Sequence, residues 1–513
     1  MKTPAPSSAK SAQWILAATI LGSSMAFIDG TVVNVALPAL QADLKATLVD
    51  VQWVIEAYAL PLAAVLLTGG ALGDRFGRRR IFLTGTGLFA LASLGCAVAP
   101  DIRWLIVFRA VQGIGGALLV PGSLAILAAS FGKEDRGRAI GTWSGFSAIT
   151  AAIGPVLGGW LIDHFSWRWA FLINIPLACA VVWISLWRVP ESRAEGAGGR
   201  LDWPGTLLAT AGLGGVVYAL LESSNADLKH PRVATALGFG VVALVAFLAV
   251  ERRSHNAMLP LELFQSRSFA GANLLTLFVY AALAGIFFFL PLNLIQVHGY
   301  TAAAAGAALL PFILLMFSLS RWSGGLFDRL GPRRPLIVGC SIAAAGFALF
   351  ALPDAGGNYW TTFFPATAVL GLGMAGVVAP LTTCVMTSVP ADHTGAASGV
   401  NNAVSRVAGL IAVAVFSMVM LAAFERRLER GLEELPISKS VRSEIRTQAT
   451  RLAAIQPPSS LDASNREGAR RVIDEAFVAG FRRVAAAAAG LALLGAVVAW
   501  LMIEDRARRS GAS

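Results

Sequence analysis

Charge is what this chain has least of. Asp, Glu, Lys and Arg make up 14% of its 513 residues, where a soluble globular domain carries about 25%. A chain this poor in charge cannot coat several soluble domains, so a soluble enzyme or binding protein is excluded. Cysteine is scarce as well: Cys96, Cys179, Cys340 and Cys384 each lie in an apolar run, and no CxxC occurs. This argues against a thiolate metal site or a disulfide framework, and the four read as small core residues. No Walker loop occurs, so nothing points to ATP, and neither a metal nor a cofactor is expected. Acids are outnumbered, 30 against 41 basic residues, giving a net charge of +11. Nucleic acid is nevertheless not the implied partner. The arginines cluster beside apolar runs, where the positive-inside rule places them, so the partner is the lipid bilayer.

What is present is apolar: 56% of the residues are hydrophobic. Fourteen segments are long enough to cross a bilayer, at about 14–38, 51–72, 81–99, 104–130, 138–162, 168–188, 204–221, 233–250, 269–297, 302–326, 335–352, 360–388, 395–423 and 480–503. Each approaches or exceeds the ~20 residues needed for a ~30 Å hydrocarbon core. The first run is longer than a signal-peptide core and reads as an uncleaved span. One alternating set of short loops carries Arg75, Arg78, Arg79 and Arg80, then Lys133, Arg136 and Arg138, then Arg188, Arg193 and Arg200, then Arg252, Arg253 and Arg267, then Arg329, Arg333 and Arg334. The opposite set holds only Lys45, Arg103, Arg168, Lys229 and Arg232. The first set is expected in the cytoplasm, with both termini inside and the chain in the cytoplasmic (inner) membrane. The segment 424–478 is then outside. Its mixture of charges with Leu432, Leu435, Ile445, Leu452 and Ile455 predicts short amphipathic helices.

A repeat organises these spans. Gly70-Ala-Leu-Gly-Asp74-Arg75-Phe-Gly77-Arg78-Arg79-Arg80 follows span two, and Gly324-Gly-Leu-Phe-Asp328-Arg329-Leu-Gly331-Pro-Arg333-Arg334 follows span ten. The same pattern eight spans later implies two six-span halves separated by an inserted pair, a parallel repeat about the membrane normal. The division is an N-terminal six-helix bundle at 1–190, two inserted helices with their loops at 191–260, and a C-terminal six-helix bundle at 261–513 that includes the outer segment.

Ions at depth mark the route through such a protein, because a charge at mid-bilayer costs from ~3 to more than ~10 kcal/mol. Asp29 lies in span one, within Ile28-Asp29-Gly-Thr31-Val-Val-Asn34-Val-Ala-Leu-Pro38, and shares a helical face with Val32 and Val33. A carboxylate facing a cavity can take up a proton or pair with a cationic substrate, and that exclusive choice is antiport chemistry. Glu56, in Gln52-Trp53-Val-Ile-Glu56-Ala-Tyr58 of span two, is the second candidate. Counting residues from the outer ends of the two spans puts the acids at depths differing by roughly 6 Å. Arg109 lies in span four within Leu105-x-x-x-Arg109-x-x-Gln112-Gly113-x-Gly115-Gly116. Its guanidinium needs carbonyls or an acid on a facing helix. Span five holds Gly154-Pro155-Val-Leu-Gly158-Gly159-Trp160-Leu161, in which proline bends the helix and the glycines flatten one face. Spans nine to fourteen contain no deeply placed acid, and Arg406 is the clear ion of span thirteen. Glu222, at the outer end of span seven, reads as interfacial.

The repeated loop and the stretches around Asp29, Arg109 and Gly154 are four motifs that resemble the major facilitator superfamily over essentially the whole chain, and within it the fourteen-span drug:proton antiporters typified by QacA and EmrB. The resemblance implies an all-α polytopic membrane protein of the major facilitator fold, with 14 transmembrane helices arranged as 6+2+6. It implies that the loop of Gly70, Asp74, Arg75, Gly77, Arg78 and Arg79, repeated at Asp328 and Arg329, latches the cytoplasmic side. Asp74 there is expected to cap a helix start and attract arginines. It implies proton coupling through Asp29, Glu56 and Arg109. Gly154, Pro155, Gly158 and Gly159 resemble the antiporter motif, although Thr150 stands where that pattern usually has another glycine. Ala408 likewise replaces a glycine often found beside the arginine matched by Arg406.

The expected activity is proton-coupled efflux of lipophilic, cationic drugs or toxic compounds by alternating access, with the proton gradient as energy source and no enzymatic step. Candidate substrate-binding residues are Asn34, Tyr58, Trp143, Phe289, Asn293, Phe312, Asn401 and Arg406, since an aromatic, mostly apolar pocket with a few polar anchors suits ligands of varied shape. The Trp167-Arg168-Trp169 cluster reads as an interfacial belt. The protein is expected to work as a monomer, and a periplasmic adaptor is an open question. Two rivals remain: a symporter importing a metabolite, which the antiporter motif opposes, and a non-transporting membrane sensor, which retention of both loop motifs and Asp29 opposes.

Overall fold

The computed structural model describes residues 9–131, 133–193, 202–223, 230–254, 261–316, 330–354, 358–390 and 394–504, with the single residues 259, 318, 319 and 356. Among them, eleven helices are long and apolar enough to cross a membrane. The helices are α1 (Ala9–Asp43), α2 (Leu48–Phe76), α3 (Arg78–Ala97), α4 (Ile102–Ser130), α5 (Lys133–His164), α6 (Trp169–Leu172), α7 (Asn174–Arg188), α8 (Trp203–Glu222) and α9 (Pro231–Glu251). They continue with α10 (Arg267–Leu292), α11 (Ala302–Ala307), α12 (Arg333–Leu349), α13 (Tyr359–Thr387), α14 (Thr394–Glu434), α15 (Lys439–Thr447) and α16 (Ala463–Met502). The protein is thus an all-helical, multi-pass membrane protein. The second copy of the loop motif, with Asp328 and Arg329, lies outside the described residues.

Local sequence sets several helix starts. The Asp101 carboxylate accepts from the Arg103 and Trp104 amides at the head of α4, at 2.9 and 3.1 Å. Ser266, Asn358 and Asp462 cap α10, α13 and α16 in the same way. Each supplies an acceptor to amides that have no partner inside the helix. Prolines at 38, 61, 121, 155, 291, 365 and 380 sit inside helices, which neighbouring helices and local adjustments make tolerable in a membrane. After Pro291 the chain loosens into a π-turn at Asn293–Val297.

The chain forms two compact units. One comprises Met1–Ala39, Trp53–Gly215 and Gly238–Met258; the other comprises Leu40–Gln52, Val216–Leu237 and Leu259–Ser513. In the first, α3 packs along α4 and against α6 and α7. Its core gathers Tyr58, Leu62, Phe82, Phe89, Leu119, Ile126, Trp143 and Val181. The part of α8 up to Gly215 belongs to this unit, and its Thr206 hydroxyl is 2.6 Å from that of Thr68. In the second unit, α10, α12 and α14 pack against α16, and α12 lies along α13.

The outer segment departs from expectation. Rather than a set of short helices, α14 runs on to Glu434 and α16 starts at Ala463, leaving only α15 and a 3-10 turn at Ala449–Ala454 between them. The physical reason is composition: the stretch after Leu421 is Ala-, Leu-, Glu- and Arg-rich, and these residues sustain a helix where the apolar run ends. Leu432, Ile445, Leu452 and Ile455 are buried in this segment. Arg446 pairs with Glu429 and Arg427 with Glu475, both at 2.6 Å. Arg470 donates to the Ala453 and Gln296 carbonyls, while Gln41 donates to the Arg451 carbonyl and accepts from Gln296.

Candidate functional site: a buried charge knot

Five helices of the first unit converge on one ion pair. The Arg109 guanidinium from α4 and the Asp29 carboxylate from α1 meet at 2.5 Å, with side-chain exposures of 1% and 0%. The remaining valences are filled almost completely. Arg109 Nε donates to the Val54 carbonyl of α2 at 3.0 Å, and Nη1 donates also to Gln112 Oε1 at 2.7 Å. Gln112 returns its amide to the other Asp29 oxygen at 2.8 Å and to Ser93 of α3 at 3.3 Å. Asn174, at the start of α7, donates to Asp29 at 3.4 Å and to Ser93 at 3.0 Å. The Tyr58 ring lies 4.3 Å and the Phe171 ring 5.7 Å from the guanidinium carbon. A buried pair of this kind is tenable only when its leftover donors and acceptors are matched; here both Asp29 oxygens and Arg109 Nε and Nη1 are matched, while Asn174 Oδ1 has no partner among the described residues.

The expectation that Asp29 faces a cavity therefore fails. Its carboxylate is sealed inside the knot, because Arg109 needs an acid on a facing helix and Asp29 supplies it. Tyr58 belongs to the knot as well, since the face of an aromatic ring attracts a cation. Sequence reasoning quoted Gln112 but gave it no role and passed over Ser93 and Asn174. The available signal was helical spacing: Gln112 lies three residues after Arg109 on the same face. Ser93 and Asn174 are lone polar residues in apolar spans and gave no signal of their own.

Glu56 is different. It is 1% exposed, and neither carboxylate oxygen has a hydrogen-bond partner among the described residues. The two candidate acids thus occupy opposite situations, one fully paired and one unsatisfied.

Around the knot, α5 presses on α1. A Cβ at Gly158 would stand 2.5 Å from a Val32 methyl, and one at Gly154 would collide with the Thr31 hydroxyl. Gly154, Pro155, Gly158 and Gly159 are all buried. The expected flat face is thereby used against α1 within the turn that follows Asp29.

The loop motif forms a compact ion cluster. Asp74 does not cap a helix start. It lies in the last turns of α2, and its carboxylate accepts from Arg78 Nε at 2.8 Å in an i,i+4 contact across the break between helices. The cap of α3 comes from Glu191, after α7, which accepts from the Arg79 and Arg80 amides at 3.0 and 3.1 Å. Gly77 makes the junction possible. Its φ is +116°, and a Cβ there would sit 2.8 Å from the Glu191 carboxylate. Arg79 also donates to the Val189 carbonyl. Arg75 stands over the Phe76 ring, and Gly70 faces Pro121 of α4. Glu191 had no sequence signal, since it lies more than a hundred residues from the amides it caps.

The candidate substrate residues are dispersed. Asn34 donates to the Gly30 carbonyl of its own helix. Trp143 is buried and donates its indole N–H to Ser23 at 3.1 Å. Phe289 is buried against Phe288, and Phe312 meets Phe287 edge-to-face. Asn293 is buried in the π-turn, where its carbonyl accepts from His298. Asn401 of α14 donates to Asn273 and Thr276 of α10 at 3.1 and 2.7 Å. Arg406 is half-buried on α14. Glu222 is the last residue of α8, half-buried. Trp167 is buried, with Arg168 over its ring, while Trp169 is exposed.

A multi-pass helical protein with a neutralised ion knot inside one helical unit belongs to the class of membrane transport proteins, not enzymes. The chain is a member of the Major Facilitator Superfamily, whose family model matches residues 19–413. It is 34% identical over 439 residues to the multidrug resistance protein Stp of Mycobacterium tuberculosis strain H37Rv, covering 84% of this chain and 80% of the relative. It is 32% identical to the tetracenomycin C resistance and export protein of Streptomyces glaucescens, covering 94% and 90%. It is 34% identical to the puromycin resistance protein pur8 of Streptomyces alboniger, covering 96% and 92%. Among solved structures, an occupied, inward-facing bacterial homologue of the human lysosomal transporter Spinster matches with a TM-score of 0.68 at 16% identity, covering 98% of each chain. A peptide transporter in complex with sulfate matches at 0.62 and 13% identity, covering 98% of this chain and 95% of that one. These structural likenesses show the fold.

Proposed function

We propose that this protein is a proton-coupled exporter of lipophilic, cationic compounds, a fourteen-span drug:proton antiporter of the cytoplasmic membrane. Relatives named for resistance to chemically unrelated drugs support the export of drugs. The observation that carries the coupling is Glu56. A buried carboxylate that no donor among the described residues satisfies is costly unless something neutralises it. A proton can do so, and so can the positive centre of a cargo molecule, but not both at once. Loading cargo then expels the proton, and reprotonation expels the cargo. Asp29 is already neutralised by Arg109. It would take part when α1 and α4 separate and Gln112 and Asn174 no longer hold its second oxygen.

The fourteen-span reading draws on the eleven crossing helices together with α5, the apolar stretch Ala302–Met316 and α12. The chain then divides at 1–190, 191–260 and 261–513. Both termini are inside, and the two six-span bundles of one monomer alternate access to the cargo. The Asp74–Arg78 and Glu191 contacts at the α2–α3 junction would hold the cytoplasmic side in one of the two states. The test is a substrate-stimulated pH change in sealed proteoliposomes across a panel of lipophilic cations and neutral drugs. Proton movement opposite to cargo is expected. Movement in the same direction would make the protein a symporter.

A further inference from the structure

We propose that the surface of the second unit carries a binding site for one phospholipid with a negatively charged headgroup, seated between α12 and α13 with its phosphate at Arg334. The site is a groove of about 280 Å³, lined by Leu319, Leu330, Arg334, Val338, Ile342 and Leu372 and floored by glycine and alanine. Among the described residues of the lining, Arg334 is the one that carries a charge. The groove exists because α12 and α13 touch backbone to backbone. A Cβ at Gly339 would stand 2.8 Å from the Gly376 carbonyl carbon, so at that contact neither helix puts a side chain into the space between them. Its rim is exposed and apolar: Leu330, Val338 and Leu372 are 43%, 56% and 46% accessible.

The dimensions name the occupant. Arg334, Val338 and Ile342 recur every four residues and so line one helical face. Arg334 is in the first turn of α12, and Ile342 lies about 12 Å deeper at 1.5 Å rise per residue. One leaflet of hydrocarbon is roughly 15 Å deep, half of a ~30 Å core. A guanidinium at the membrane edge above an apolar trough one leaflet deep complements an anionic headgroup above its acyl chain. A point positive charge selects that headgroup over a zwitterionic one. Drug-sized ligands occupy concave sites of about 300–1,000 Å³ that bury most of their surface, and this open trough is smaller. The positive-inside assignment of the Arg333-Arg334 loop places the site in the cytoplasmic leaflet.

The test uses the full-length protein in nanodiscs of zwitterionic lipid doped with a phospholipid bearing a photoreactive acyl chain. Two such lipids are compared, one with a phosphatidylglycerol and one with a phosphatidylcholine headgroup, and crosslinked peptides are mapped by mass spectrometry. Crosslinks to the peptides containing Val338 and Leu372 are expected to favour phosphatidylglycerol by about fivefold, the equivalent of the ~1 kcal/mol that one basic residue near an anionic surface contributes. Arg334→Gln should bring the two lipids to parity. Val338→Trp, which fills the trough and keeps the charge, should abolish crosslinking at Leu372 for both. Equal labelling by both lipids in the unaltered protein overturns the proposal. So does a headgroup preference that survives Arg334→Gln, or displacement of the lipid by a lipophilic drug, which would make the groove a cargo site.

Discussion

At the scale of single residues, the two acids of the first unit predict different behaviour. Asp29 neutralises Arg109, so Asp29→Asn leaves a buried guanidinium facing an amide. Losing one partner of a buried pair costs about 3–5 kcal/mol. The variant should show a markedly lower unfolding temperature in detergent, and Asp29→Asn combined with Arg109→Gln should recover most of it. Neither variant should restore gradient-driven efflux. Full efflux by Asp29→Asn would remove Asp29 from the coupling machinery. Glu56 supports nothing structurally, since its oxygens bond to no described residue. Glu56→Gln should therefore leave the unfolding temperature within about 1 kcal/mol equivalent of the parent, the range of a substitution that removes no partner. It should abolish gradient-driven export of mono- and dications alike, because Glu56 is the acid at which proton and cargo exchange. Matched mono- and dicationic dyes separate the outcomes. Loss confined to dications would limit Glu56 to neutralising a second cargo charge, and no loss would make it an outer-vestibule charge.

At the scale of elements, the junction of α2 and α3 is the most informative. Gly77 holds a backbone conformation that side chains rarely adopt, and its missing Cβ makes room for Glu191. Gly77→Ala meets both obstacles, and a residue forced to positive φ costs of order 1–3 kcal/mol. Glu191→Gln keeps an acceptor for the α3 amides but removes the charge that favours a helix start. Asp74→Ala and Glu191→Gln should both slow turnover more than they weaken binding, since Asp74 lies about 27 Å along α2 from Glu56 at 1.5 Å per residue and the cluster sits at a helix junction. Initial efflux rates and equilibrium dye binding read the two quantities separately. Unchanged turnover with lost affinity would contradict the gating role. On α5, Gly158→Leu should prevent the close approach to Val32 and reduce folded yield, whereas Val156→Leu on the same helix should not.

At the scale of the whole molecule, the fourteen-span reading makes a topological prediction. In a cysteine-free background, Ser440→Cys in the outer segment should react with an impermeant maleimide in intact cells. Arg193→Cys, exposed after the end of α7, should react only after permeabilisation. Labelling of Arg193→Cys from outside would invert the orientation. Collapsing the proton gradient should raise cellular accumulation of cargo, and a fall would indicate import.

Much of this was settled by the chain alone. Apolar runs of bilayer length can form only helices when lipid surrounds them, because every backbone donor must then be satisfied within its own segment. That is why helix positions followed from hydropathy to within a few residues at most ends, and why the motifs landed on the expected helices. The extension of α14 beyond the membrane was not legible from hydropathy, since helix propensity rather than apolarity carries it. The identity of the charged residues was also plain, but their partners were not. Asp29 and Arg109 are eighty residues apart, and Glu191 lies more than a hundred from the amides it caps. Such contacts depend on which helices touch and how each is rotated, and the hydrophobic period is silent on both in spans that are apolar all round. Only the tertiary structure could place Asp29 within reach of three donors and leave Glu56 with none among the described residues, because hydrogen bonding inside a membrane is decided by the side chains of neighbouring helices, not by the helix a residue belongs to.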